Sequence, residues 1–142
     1  NKKNIFAYCP KAFFGSKDIL YIRKNEDSVN LKYLLALLNS KLYYFWLWHN
    51  GKKKGKTLEL YVTPISEIPI KIIPLEQEII LIEKVEELIA NLHHGSKITE
   101  NLKSDSYKNM RNEIDNLIYE FYGLDEDEKK VIENLYSTNF NE

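Results

Sequence analysis

Residues 34–70 read LLALLNSKLYYFWLWHNGKKKGKTLELYVTPISEIPI, an apolar and aromatic run that passes through Gly51 into a lysine cluster and then into an alternating stretch closed by prolines. Leu31, Leu34, Leu35, Leu38, Leu42 and Phe45 recur at three- and four-residue steps, the pattern of one helical face, with Ser28 or Asn30 as its N-cap. Tyr33, Leu37, Tyr44 and Trp48 occupy the other side. A helix apolar almost all round is buried on most sides, so this one is expected at the centre of the fold. Gly51 ends it. Lys52, Lys53, Lys54 and Lys56, set around Gly55, then read as a mobile cationic loop, and Thr57 to Val62 alternates with period two, as a strand does. A buried element that carries positive charge to the surface suits a phosphate-bearing partner.

Outward from this stretch, Ile5–Cys9 and Ile19–Arg23 are short β-branched and aromatic runs bracketed by Pro10, Gly15 and Asn25, which predict two further strands. Pro69 and Pro74 keep Ile65–Ile73 extended. Pro74 then opens a helix, with Glu76 and Glu78 near its N-terminal dipole and Ile79, Ile82, Val85, Leu88, Ile89 and Leu92 as its apolar face, ending near Gly95. Tyr107, Met110, Ile114, Leu117, Ile118 and Phe121 mark a second long helix up to Gly123, and Asp125 with Glu128 forms a capping box ahead of Val131, Ile132 and Leu135. The expected fold class is α+β: short strands around a buried central helix, followed by a C-terminal helical segment. The expected division is an α/β core over residues 1–95 with a helical hairpin over residues 96–142 packed on it.

With 142 residues, 44% hydrophobic and 29% charged, the chain is long enough for one globular core. Tyr33–Trp48, its longest nearly uncharged run, falls short of the roughly 20 apolar residues a membrane span needs, and no signal peptide is visible. Cys9 stands alone, which excludes an intramolecular disulfide, fits a reducing, cytoplasmic location and predicts a small buried hydrophobe. A start without methionine fits a piece of a longer protein. The net charge of −1 hides a polarity: residues 1–60 hold 12 Lys and Arg against 4 Asp and Glu, and the remainder holds 8 against 17. A basic half of this kind points to a nucleic-acid or membrane surface, an acidic half to solvent or protein.

No catalytic or metal-ligating constellation accompanies these elements. His93 and His94 project about 100° apart on a helix and have no ligand partner at suitable spacing, so they read as a helix C-terminal cap. Gly51 to Thr57 lacks the gap before Gly-Lys-Thr that a phosphate-binding P-loop requires. The aromatics from Tyr43 to Trp48 are placed for core packing, with stacking on an unpaired base as the alternative.

The order of Leu38-Asn39-Ser40-Lys41, the lysine cluster, Ile68-Pro69-Ile70, a Pro-led helix with Gln77, and Ile114-Asp115 through Tyr119, Tyr122-Gly123-Leu124 and Glu126, Glu128 resembles one family. It is similar to the C-terminal target-recognition domain of TaqI-like adenine-N6 DNA methyltransferases and the related type IIG restriction-modification enzymes, over roughly Ile19 to Glu133; the ends of type I specificity subunits are similar too. The resemblance implies sequence recognition on double-stranded DNA, an upstream methyltransferase domain in the same longer chain, and S-adenosylmethionine as that domain's cofactor. The family's methylation tetrapeptide, Asn/Asp/Ser-Pro-Pro-Tyr/Phe, does not occur here, so this part is expected to be noncatalytic and to hold no cofactor or metal. Lys52, Lys53, Lys54, Lys56 and Lys41 are the candidate phosphate contacts, and His49, Asn50, Tyr61 and Thr63 the candidate base readers. The competing reading is a protein-interaction or subunit-assembly module whose acidic helices pack on a partner while the lysines only keep the surface soluble.

Overall fold

The computed structural model describes residues 3–11, 15–16, 19–25, 29–55, 57–93 and 98–140. The expected central helix is two helices, α1 (Leu31–Asn39) and α2 (Lys41–Asn50), divided at Ser40. Asn30 caps α1 by accepting from the Lys32 N–H at 2.8 Å, and Ser28 lies outside the described residues. Ser40 has extended backbone (φ −73°, ψ 160°) and serves both ends: its N–H and Oγ donate to the Leu37 carbonyl at 2.9 and 2.7 Å, and Oγ accepts from the Tyr43 N–H at 3.2 Å. One residue therefore satisfies orphan groups of two helices.

Around the break, each residue of Leu38–Lys41 ties in another part of the chain. The Leu38 carbonyl accepts from the Asn4 amide, and Asn39 exchanges hydrogen bonds with the Phe6 backbone, Oδ1 accepting at 3.0 Å and Nδ2 donating at 3.1 Å. On α6 (Asp105–Tyr122), Arg111 donates to the Asn39 carbonyl, while Asp115 Oδ1 accepts from the Lys41 N–H at 2.9 Å. A cation thus faces the C-terminal end of α1 and a carboxylate the N-terminal end of α2, the sign that each helix dipole favours.

After α2 come β1 (Lys52–Lys54), β2 (Thr57–Glu59), α3 (Val62–Ser66), α4 (Leu75–His93), α5 (Ile98–Asn101), α6 and α7 (Glu126–Phe140). Among the described residues the sheet is a two-stranded antiparallel hairpin. The architecture is α+β and mostly helical, with α4 packed on α1, α7 on α2, and α6 against both α4 and α2. One buried cluster runs from Tyr33 through Leu37, Tyr44, Leu47, Leu81 and Ile114 to Tyr136.

Several local expectations need correction. Among the described residues, 4–9 and 20–25 form no strand; Asn39 occupies the Phe6 backbone groups that a neighbouring strand would use. Residues 62–66 are helical, because Pro64 falls in the first turn, where its missing N–H costs nothing. Cys9 is exposed. The buried face of α4 carries Leu81 and Val85, whereas Ile79 is exposed. Gly123 closes α6, and α7 opens on the expected capping box, with reciprocal Asp125–Glu128 bonds of 2.9 Å.

Residues 68–73 form neither helix nor strand; side chains hold them. Tyr33 donates to the Lys71 carbonyl at 2.7 Å and Tyr43 to the Pro69 carbonyl at 2.8 Å. The Tyr122 hydroxyl lies 2.6 Å from that of Tyr43 and accepts from the Lys71 N–H at 3.3 Å. Burial pushes the Tyr33 and Tyr43 phenols well above their ordinary range, so they stay neutral donors.

Candidate nucleic-acid interface

Lys52–Lys54 form a strand of a β-ribbon and not a loop. Gly51 continues from α2 with its N–H on the Leu47 carbonyl at 2.7 Å; a Cβ there would meet that oxygen at 2.5 Å, so only glycine permits the strand to leave the helix this closely. At the ribbon's tip Gly55 has φ +61°, the positive value a tight hairpin turn needs. The register pairs Lys52 with Glu59, Lys53 with Leu58 and Lys54 with Thr57.

Cross-strand partners share a face, and successive residues alternate. Leu58 is buried, at 1% exposure, so Lys53 lies on its side, with its ammonium 4.9 Å from the centre of the Trp48 ring. Lys52 and Lys54 occupy the other face with Glu59 and Thr57. The Lys52 ammonium sits 3.8 Å from Glu59 Oε2 and 4.8 Å from the centre of the Tyr61 ring, and the Tyr61 hydroxyl donates to the same Oε2 at 3.2 Å. Lys54 is exposed, and Lys56 lies outside the described residues.

The other candidates divide. His49 is exposed and tilted on Phe45 at 4.5 Å between ring centres, and Asn50 is exposed with its amide donating to the Trp46 carbonyl at 2.9 Å. Tyr61 and Thr63 are exposed at the end of the ribbon and in the first turn of α3. Lys41 is elsewhere, at the opposite end of α2, which is about 15 Å long. Its side chain is 16% exposed, and its ammonium is held by Glu133 at 2.9 and 3.1 Å and by the Asn112 side chain at 3.2 Å. Glu59 is the member of this surface that composition and spacing did not single out. Its signal was the pairing of position 59 with position 52, which becomes legible once the turn is placed at Gly55.

Among the described residues, no group of three or more His, Cys, Asp or Glu is gathered to hold a metal ion, and no helix is long and apolar enough to cross a membrane. His94 lies outside the described residues.

Both helices of the centre, the ribbon and α3 fall within one family match. Residues 1–70 match the TaqI-like C-terminal specificity domain. That is the family to which the order of motifs points, although the match starts before Ile19 and ends at Ile70, leaving α4 to α7 beyond it. Two relatives from Haemophilus influenzae, the type II methyltransferases M.HincII and M.HindII, are each 27% identical over 67 residues. The aligned part is 46% of this chain and 13% of either relative's length. No solved structure matches significantly.

Proposed function

We propose that this chain is the DNA target-recognition part of a restriction-modification methyltransferase acting on adenine N6, noncatalytic in itself. The observation that carries the reading is the Lys-bearing β-ribbon inside the family-matched half. A two-stranded ribbon fits the major groove of duplex DNA, and lysines along it neutralise phosphates. Lys52, Lys54 and Lys56 form the phosphate set; Lys53 lies on the opposite face from Lys52 and Lys54, over Trp48. Lys41 is left out because Glu133 and Asn112 already hold its ammonium. His49, Asn50, Tyr61 and Thr63 flank the ribbon as base readers. Residues 1–95 form the recognition core and 96–142 a helical hairpin on it. Methyl transfer from S-adenosylmethionine belongs to a catalytic domain elsewhere in a longer, cytoplasmic protein, as the names of the relatives support; whether that protein also cleaves DNA is a separate property.

Duplex binding by the full-length protein at several salt concentrations tests this. Lys52→Ala with Lys54→Ala is expected to weaken binding to every sequence alike and to lower the slope of log affinity against log salt by about twice 0.9. An unchanged slope would make the ribbon a solvated hairpin and move the search for the DNA-facing surface to Lys11, Lys17, Arg23 and Lys24.

One observation favours the protein-interaction reading. Ile72 and Leu75 are 77% and 70% exposed beside Glu76, an apolar spot with an acidic rim at the start of α4. Duplex affinity that is absent even at low salt would support that reading instead.

A further inference from the structure

We infer that Glu59 is a base-reading residue whose carboxylate accepts a hydrogen bond from the 4-amino group of a cytosine in the major groove. The inference rests on the DNA-recognition reading and goes beyond it by naming the base and the atom.

Glu59 lies on the outer face of the ribbon, directly across from Lys52 and diagonal to Lys54. An acidic side chain among lysines proposed to meet phosphates repels the backbone, so its place on that face calls for a partner other than phosphate. A ribbon lying in the major groove turns one face toward the base edges. There the hydrogen-bond donors are the amino groups of cytosine and adenine. An ionised carboxylate only accepts. The adenine amino group stands beside the N7 acceptor, whose lone pair would face carboxylate oxygen, whereas cytosine N4 has no acceptor next to it on its own base. Cytosine is therefore the better match.

The side chain is also arranged in advance. Both of its ties, the Tyr61 hydroxyl at 3.2 Å and the Lys52 ammonium at 3.8 Å, go to Oε2. Oε1 has no hydrogen bond to a described residue, and the side chain is 28% exposed. Fixing one oxygen and presenting the other removes rotamer freedom before binding. A merely structural role predicts something else: an exposed ion pair on a hairpin contributes little to stability and nothing to base choice.

The test uses the full-length protein and duplexes selected from a randomised pool. In the preferred duplex each cytosine is replaced in turn by pyrimidin-2-one, which pairs with guanine but lacks the 4-amino group. One position is expected to lose roughly 5- to 100-fold in affinity with the wild-type protein, and that loss is expected to vanish in Glu59→Ala. Glu59→Gln keeps an oxygen for Tyr61 and turns an amide N–H toward the base in place of Oε1, so selection with it is expected to lose cytosine at that position in favour of a base that presents an acceptor in the major groove. Variants that bind duplex DNA with the wild-type base profile overturn the inference and leave the DNA-recognition reading standing. Wild-type protein with no salt-dependent duplex binding overturns both. Should neither variant fold, as circular dichroism would report, the wild-type series alone decides: tolerance of pyrimidin-2-one at every cytosine rejects the assignment.

Discussion

Replacing Leu37 with Ala is expected to destabilise the chain by about 2 to 5 kcal/mol, and to cost more than the same change at Leu38. Leu37 is fully buried (0% exposed) in the cluster that joins α1 and α2 to α4, α6 and α7. Deleting its isopropyl group leaves a closed void, so the lost transfer free energy and the lost packing contacts add. Leu38, 3% exposed, instead lines one side of an apolar groove of about 360 Å³ with Leu20, Tyr21, Ile22, Val62 and Ile65. Truncation there enlarges a space that is already open. Denaturant unfolding of the two variants, compared at equal slope, measures the difference. Equal losses would mean that the groove is closed over Leu38, and a near-zero loss at Leu37 would take α1 out of the core.

That contrast also shows where sequence reading stopped. Leucine spacing from Leu31 to Phe45 runs unbroken through Ser40, because both helices bury apolar residues and the break costs the pattern nothing. Ser40 gave the only hint, as a residue that favours caps over helix interiors. The two N-terminal β-like runs are not strands for a different reason: propensity describes fit to a pleated, half-buried surface, and among the described residues no neighbouring strand supplies one. By contrast, the capping box at Asp125 and Glu128, the stop at Gly123 and the start at Pro74 are local chemistry, and they stand where the sequence put them. The candidate interface was half legible. Lys52 to Lys54 were visible as charge, but which face each takes depends on the register set by Gly55. Asp115 was invisible as a buried group: with Arg111 four residues before it on a helix, it reads as one of many solvent-facing pairs.

Asp115 carries the second large expectation, a stability that falls as pH rises. Its side chain is almost fully buried, at 2% exposure. Burial pushes its carboxyl from 3.8 up to about 6, against the opposing pull of the Arg111 charge, the Lys41 N–H and the Lys41 ammonium, while the Glu133 carboxylate pushes the same way as burial. Tyr119, the other neighbouring titratable group, stays neutral and donates to Glu133 at 2.9 Å. Between the two values the folded chain binds a proton that the unfolded chain has released. Stability from this site is thus full below about pH 4 and is lost as pH rises through about 6, by on the order of 3 kcal/mol. Asp115→Asn keeps an oxygen for the Lys41 N–H and cannot ionise. Titrating groups away from Asp115 act alike in both proteins and cancel in the difference. The stability of the wild type relative to Asp115→Asn, from urea unfolding at intervals between pH 4 and pH 8, is expected to decline by that amount across the interval. A difference that stays flat would mean that Asp115 is ionised throughout, with Arg111 and the N-terminal end of α2 supplying enough positive potential to offset its burial.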